Sequence, residues 1–217
     1  MKADRNSMLL YLVTDRAWAA GTTVARQTEE ALRGGATFLQ YREKTLRGDA
    51  FLAEALELKA LARRYNVPFV INDDAEAALQ IDADGVHVGQ CDMSAAAARR
   101  LVGRDKIVGV SVQTAEQAAI AEREGADYLG VGAVFTTPTK PDAETVGLDT
   151  LKSICASVSI PVVAIGGINE SNILTLKGSG ADGAAVISAV FAATDIRAAA
   201  ARLLTLSKEV ARHGEQA

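Results

Sequence analysis

Short apolar runs alternate with amphipathic segments along the whole chain. The runs predict strands at 8–14, 38–43, 68–72, 85–89, 106–112, 128–135, 161–165 and 183–187. A segment with helical spacing follows each run. These segments predict helices at 23–33, 49–65, up to about 79, 94–101, 114–124, 148–156, 170–177 and 195 to about 210.

The predicted strands are apolar almost throughout, which is typical of a parallel sheet that is buried on both faces. Eight strand–helix units close naturally into a (β/α)8 TIM barrel, so we expect a single α/β domain over residues 1–217. A doubly wound open sheet is the structural alternative, but it would not need eight regular units. We expect the tail to fray from about residue 212.

Composition narrows the range of functions. The chain has 217 residues, is 49% hydrophobic and carries a net charge of −4, which suits a compact domain with a substantial core. It has no polybasic block, no membrane-length apolar run and no secretory leader, so we expect neither nucleic acid nor membrane partners and a cytoplasmic location. Two cysteines without zinc spacing fit a reducing compartment. A homo-oligomer is compatible with these features.

The second predicted strand carries an unusual polar face. Side chains two residues apart share a face of a strand, so Gln40, Arg42 and Lys44 lie on one side, opposite Tyr41 and Glu43. A buried strand rarely places polar and cationic groups at three alternate positions, because each must be paired or solvated. This face therefore predicts a polar cavity that receives an anion.

Two carboxylates are predicted at the same rim. In a TIM barrel the functional groups lie at the carboxyl ends of the strands, and Asp73 and Asp92 follow adjacent strands there. Two carboxylates together with substrate phosphates are a usual way of holding Mg²⁺. Either aspartate alone is better explained as a helix N-cap, but their joint position beside the cationic strand favours a metal site.

Glycines end the seventh strand and suggest a phosphate seat. Gly166 and Gly167 allow the backbone to approach a ligand, and the turn at Ser188 follows the next strand. The loops after strands seven and eight are the usual phosphate site of this fold. A tight turn without a ligand is the simpler alternative.

Other polar residues support weaker interpretations. Thr137, Thr139 and Lys140 lie on a long loop, which predicts either a functional loop or a solvated one. His87 alternates with valines, so we expect it in the core or behind the site rather than as a catalytic group. We expect Cys91 to be a small buried residue rather than a nucleophile.

With these motifs identified, the chain resembles the thiamine phosphate synthase family along almost its whole length. Each motif is weak alone, but seven occur in order, each at a strand end. They are Gln40 to Lys44, Ile71 to Asp74, Gly85 to Gln90 with Asp92, Gly109 to Ser111, Thr137 to Lys140, Val163 to Ile168, and Ile187 with Ser188.

The resemblance implies a transferase that joins a hydroxymethylpyrimidine diphosphate to a thiazole phosphate, giving thiamine phosphate and pyrophosphate. It implies Mg²⁺ on Asp73 and Asp92. It places the thiazole phosphate on Thr137, Pro138, Thr139, Gly167, Ile187 and Ser188. It places the pyrimidine diphosphate on Gln40, Tyr41, Arg42, Glu43, Lys44, Asn72, Ser111 and Lys140, with Arg42, Lys44, Ser111 and Lys140 assisting catalysis.

Three other functions remain open at this point. The first is an isomerase like the thiazole tautomerases, which share the fold. A resemblance to that branch would imply a histidine two residues past Ser111, where this chain has Gln113. A non-catalytic barrel that binds a thiazole phosphate is the second. An aldolase with Lys44 or Lys140 as a Schiff-base lysine is the third, although such lysines usually need an apolar pocket.

Overall fold

In the part of the chain that the computed structural model describes, residues 3–136 and 145–211, eight parallel strands close into a barrel. Each strand pairs with the next, and the last pairs with the first. This confirms the predicted TIM barrel and excludes the open sheet. The strands are β1 (Leu10–Val13), β2 (Phe38–Tyr41), β3 (Phe69–Asn72), β4 (Gly85–Val88), β5 (Ile107–Val112), β6 (Tyr128–Val131), β7 (Val162–Ile165) and β8 (Gly183–Val186).

Helices cover the outside of the barrel and connect most of the strands. They are α1 (Val24–Arg33), α2 (Gly48–Arg64), α3 (Ala75–Gln80), α4 (Ala95–Val102), α5 (Ala115–Arg123), α6 (Leu148–Ser157), α7 (Ser188–Phe191) and α8 (Ile196–Ala211). Short 3-10 turns occur at Asn6–Met8, Arg16–Trp18 and Ile173–Leu176.

Hydroxyl and carboxyl side chains start several of these helices. Thr114 Oγ1 accepts a hydrogen bond from the Gln117 backbone N–H at 3.1 Å, as the capping pattern predicted. The Gln117 side-chain oxygen in turn accepts a hydrogen bond from the backbone N–H of Gln113 at 2.8 Å. In an ideal capping box the donor would be the N–H of the next residue, Thr114. Equivalent caps are provided by Thr23, Asp74 and Ser94.

The hydrophobic core has two layers. The larger layer lies between the strands and the helices, where Leu39, Leu58 and Phe69 are completely buried. The smaller layer fills the barrel itself and includes Phe38 and Tyr128. Because this inner layer plugs one end of the barrel, only the end at the carboxyl termini of the strands is left for a ligand.

Some predicted boundaries are wrong. The helix predicted at 170–177 is only the 3-10 turn Ile173–Leu176. Asn172 and Asn169 hold the preceding chain with side-chain bonds to backbone groups, which compete with a regular helix. Strand β2 ends at Tyr41 and strand β6 at Val131, earlier than predicted.

Two expectations concern residues that the structure does not describe, and a third concerns membrane-spanning helices. The predicted frayed tail from about residue 212 and the loop at 137–140 lie outside the described residues. Within the described ranges, no helix has the length and apolar character needed to cross a bilayer.

A substitution at Gly109 tests the packing of the inner layer of the core. A methyl group at Gly109 would lie 2.1 Å from a carbon of the Tyr128 ring, so Gly109→Ala should displace that ring and lower the free energy of unfolding by about 1–3 kcal/mol. Urea unfolding measures the change.

Gly130→Ala is the matched control on the next strand. Its methyl group would meet its nearest neighbour, His87, at an ordinary 3.4 Å. We expect a change of less than about 1 kcal/mol in either direction. Equal effects of the two substitutions would contradict the packing that we describe around Tyr128.

Candidate active site

A cavity of about 520 Å³ opens at the carboxyl ends of the strands. Residues from every strand or the turn after it line its wall, which is the arrangement that the barrel predicts. Nine of the residues to which the resemblance assigns a substrate or a metal ion meet there: Gln40, Arg42, Asn72, Asp73, Asp92, Ser111, Gly167, Ile187 and Ser188.

Asp73 and Asp92 interact directly at this rim. Partial burial and the neighbouring carboxylate of Asp92 raise the pKa of Asp73 to about 6. Asp73 has a φ of 64°, and its N–H donates to the carbonyl of His87 at 2.7 Å. The Asp92 carboxylate accepts from the N–H of Gly89 at 2.8 Å. The strand ends therefore hold two like charges together.

Neither aspartate caps a helix, so the simpler explanation for this pair is wrong. The N-cap of α3 is Asp74, and that of α4 is Ser94. Sequence spacing left this open because consecutive polar residues follow both strands. The two carboxylates are consequently available to a ligand.

The pair suits a hard divalent cation. Paired carboxylate oxygens are typical ligands of Mg²⁺, and a cation would relieve the repulsion that raises the pKa of Asp73. Among the described residues, no cluster of three or more His, Cys, Asp or Glu side chains could hold a metal. The protein's carboxylates would therefore need ligand oxygens or water to complete the coordination.

Arg42 supplies positive charge beside this pair. Its side chain is only 17% exposed and its Nη1 lies 3.3 Å from a carboxylate oxygen of Asp15. Its charge also favours the ionised form of Asp73, although less strongly than burial and Asp92 oppose it. Arg42 thus faces the cavity, as the sequence predicted.

Lys44 does not line this cavity, contrary to the alternation expected from the sequence. Because β2 ends at Tyr41, the strand geometry is lost before residue 44. Lys44 instead lies beside an adjoining cavity of about 470 Å³, which Arg42, Asp15 and Trp18 also line.

Tyr41 and Glu43 lie on the other side of the wall. The hydroxyl of Tyr41 donates to Glu54 at 2.8 Å. Burial would raise the pKa of Glu43, but bonds from Thr45, Arg16 and the N–H of Leu46 outweigh it and lower that pKa to about 2. The Glu43 carboxylate thus holds the loop after β2.

The glycine turn closes the opposite side of the rim. Gly166 and Gly167 have φ angles of 102° and 65°, which favour glycine. A methyl group at Gly167 would lie 2.4 Å from the carbonyl oxygen of Thr136. The carbonyl oxygen of Gly167 accepts a hydrogen bond from the side chain of Asn172 at 2.9 Å. Glycine is therefore required for the wall itself.

His87 belongs to a buried polar network, as predicted for a residue behind the site. Its ring nitrogens lie 2.9 Å from the hydroxyl of Tyr128 and 2.9 Å from that of Ser111. Burial lowers the pKa of His87 to about 4, so the ring is neutral near pH 7. Tyr128 and its own partner Tyr11 are not distinguishable in the sequence from ordinary apolar strand residues, so this network was not predicted.

Three further predictions concern Cys91, Gln113 and the loop at 137–140. Cys91 is exposed and lines the cavity, so the expectation that it is buried was wrong. Gln113 also lines the cavity. The residues Thr137, Pro138, Thr139 and Lys140 lie outside the described part of the chain.

The chain is similar to proteins of one family over most of its length. Residues 10–190 match the family model described as thiamine monophosphate synthase. The chain is 52% identical over 198 residues to a thiamine-phosphate synthase of Chloroflexus aurantiacus, covering 91% of each chain. It is 48% identical over 197 residues to one from Ruminiclostridium cellulolyticum, covering 91% of this chain and 94% of the relative.

A solved structure agrees with these matches. The thiamine phosphate pyrophosphorylase of Pyrococcus furiosus superimposes with a TM-score of 0.87 at 42% identity. The match covers 95% of this chain and 98% of the other.

The raised pKa of Asp73 predicts that the free energy of unfolding depends on pH. The folded protein binds this proton more tightly than the unfolded chain, where aspartate has a pKa of about 3.9, so stability falls as the pH rises through this range to about 6. Asp73→Asn should therefore stabilise the protein more at about pH 7.5 than at about pH 4.5. The gain should stay under about 1 kcal/mol because solvent screens this exposed rim.

Urea unfolding at the two pH values measures this difference. Asn accepts the positive φ of residue 73, so the backbone is not strained. Asp105→Asn, which removes an exposed carboxylate on a loop, is the control for net charge. A gain that is equal at both pH values would contradict carboxylate repulsion as its cause.

Proposed function

The chain belongs to the thiamine monophosphate synthase family, and on this basis we propose that it joins a hydroxymethylpyrimidine diphosphate to a thiazole phosphate. The products are thiamine phosphate and pyrophosphate, so the protein is a transferase. The observation that carries the proposal is the meeting of Arg42 with the Asp73–Asp92 pair at the rim of one barrel cavity. This combination suits a diphosphate that binds together with a cation.

The pyrimidine diphosphate occupies the side of the cavity formed by β2 to β5. Arg42 offers a planar cation to the phosphates, and Asn72 on β3 and Ser111 on β5 offer side-chain hydrogen bonds. Asp73 and Asp92 would hold Mg²⁺, which would supply positive charge against the negative charge that grows on the leaving diphosphate. The resemblance assigns Lys140 to the same phosphates.

The thiazole phosphate occupies the opposite side. The glycine turn at Gly167 and the start of α7 at Ser188 border the cavity there, together with Ile187. Loops after the seventh and eighth strands commonly bind phosphate in this fold. The resemblance adds Thr137, Pro138 and Thr139 from the loop after β6.

The reaction requires no protein nucleophile. The bond between the methylene carbon and the diphosphate oxygen breaks, and its electron pair leaves with pyrophosphate. The electron-rich aminopyrimidine carries the positive charge on the methylene until the thiazole nitrogen forms the new carbon–nitrogen bond. Holding the two substrates in line contributes up to about 7–11 kcal/mol in the best cases. Arg42 and Ser111 favour bond breaking by stabilising the departing oxygens.

The isomerase alternative lacks its proton-transfer group. Gln113 occupies the cavity position where that branch has a histidine, and an amide does not titrate. The nearby His87 has a pKa lowered to about 4 by burial, which makes it a poor base or acid near neutral pH. We therefore retain the synthase as the proposed function.

Pyrophosphate release tests the proposal directly. The protein with both substrates and Mg²⁺ should release pyrophosphate, and omission of the thiazole phosphate should prevent formation of the joined product. Asp92→Asn keeps an oxygen for the Gly89 N–H but removes the negative charge, so kcat should fall about 100-fold and more Mg²⁺ should be needed. Asp105→Asn should retain full activity. No pyrophosphate from the folded protein would overturn the proposed function.

Arg42 lines both adjoining cavities, whereas Lys44 lines only the smaller one. Since Arg42 lines the main cavity and Lys44 does not, Arg42→Gln should lower kcat/KM by about 100-fold and Lys44→Gln by less than about tenfold. Steady-state kinetics with saturating Mg²⁺ measures both. A larger loss for Lys44 would mean that the loop after β2 rearranges when the diphosphate binds.

A further inference from the structure

A chain of hydrogen bonds crosses the floor of the cavity. It runs from the Gln40 amide to the Tyr11 hydroxyl at 2.8 Å, to Tyr128 at 2.6 Å, to His87 Nδ1 at 2.9 Å, and from His87 Nε2 to Ser111 at 2.9 Å. We call these five residues the hydroxyl relay. They come from five strands and lie on the inner aromatic layer of the barrel.

The direction of each hydrogen bond in the relay follows from its first donor. The Gln40 Nε2 group donates to Tyr11, so the Tyr11 oxygen accepts there. Tyr11 is 1% exposed and its remaining partner among the described residues is Tyr128, so it donates its own proton to Tyr128. A buried hydroxyl proton without an acceptor would be costly.

The hydrogen bond from Tyr128 determines the tautomer of His87. Tyr128 is completely buried and accepts from Tyr11, so its proton goes to Nδ1 of His87. Burial raises the pKa of both tyrosines and lowers that of His87, which keeps all three neutral. A neutral imidazole that accepts at Nδ1 carries its proton on Nε2.

Ser111 lies at the end of the relay and at the wall of the cavity. It accepts the Nε2 proton of His87, so its own hydroxyl proton is not used in that bond. Among the described residues its oxygen has no second partner, and the side chain borders the cavity. The hydroxyl is thereby set as a donor toward a bound ligand.

We propose that His87 is a positioning residue: the relay that starts at Gln40 holds it as the Nε2–H tautomer and turns the Ser111 hydroxyl proton into the cavity. The tautomer follows from the protein alone. The contribution of this tautomer to the reaction rests on the proposed function. A hydroxyl that is held as a donor stabilises the oxygen that gains negative charge as the diphosphate leaves.

Nitrogen NMR of the free protein tests the tautomer without any substrate. The sequence has two histidines, so His213→Gln leaves the imidazole of His87 as the one labelled ring. Long-range proton–nitrogen spectra at pH 7 should show Nε2 with the shift of a protonated nitrogen and Nδ1 with that of an unprotonated one. An Nδ1–H ring or a charged imidazolium would overturn the proposal.

Tyr128→Phe removes the donor to Nδ1. The nitrogen shifts of His87 should then move toward those of mixed tautomers, and kcat should fall about fivefold, the loss expected for one hydrogen bond. Tyr65→Phe, which deletes a tyrosine hydroxyl on the outside of the barrel, should change neither. Unchanged nitrogen shifts in a folded Tyr128→Phe protein would contradict the relay.

The two proposals can fail separately. If the wild-type protein has the Nε2–H tautomer but releases no pyrophosphate, the proposed function fails and the relay stands. If it releases pyrophosphate with an Nδ1–H ring, the relay as oriented here is wrong and the function stands.

Discussion

Closure of the parallel barrel is the constraint on which the other features depend. Because every strand runs in the same direction, all carboxyl ends meet at one opening, and residues far apart in sequence become neighbours. Arg42 at the end of β2 and Ile187 at the end of β8 border the same cavity for this reason. In an open sheet no closed ring of strand ends would enclose a cavity in this way.

The inner layer of the barrel serves both packing and polarity. Tyr11, Phe38 and Tyr128 form tilted aromatic contacts at centroid distances of 4.5–5.7 Å, which fill the closed end. The tyrosine hydroxyls emerge on the cavity side of this layer, where they bond to one another and to His87. A single layer of rings thus separates the apolar interior from the polar floor of the cavity.

The rim carries an electrostatic cost that a bound cation would remove. The two aspartates repel each other, and Arg42 offsets only part of that repulsion. Functional sites commonly hold such unfavourable arrangements, which the rest of the fold compensates. Here the compensation comes from the mostly buried strands that precede the two aspartates, β3 and β4.

The sequence by itself determined the eight strands, seven of the eight predicted helices, the N-cap of α5 at Thr114 and the convergence of Asp73 with Asp92, because these depend on periodicity, local capping and strand direction. It did not determine where β2 ends, and so it placed Lys44 on the same face as Gln40 and Arg42, whereas Lys44 lines the adjoining cavity. It also did not reveal that Tyr11 and Tyr128 meet, since they are 117 residues apart. Spacing specifies which face of a strand a side chain occupies, whereas its partners across the barrel depend on closure and packing, which only the tertiary structure decides.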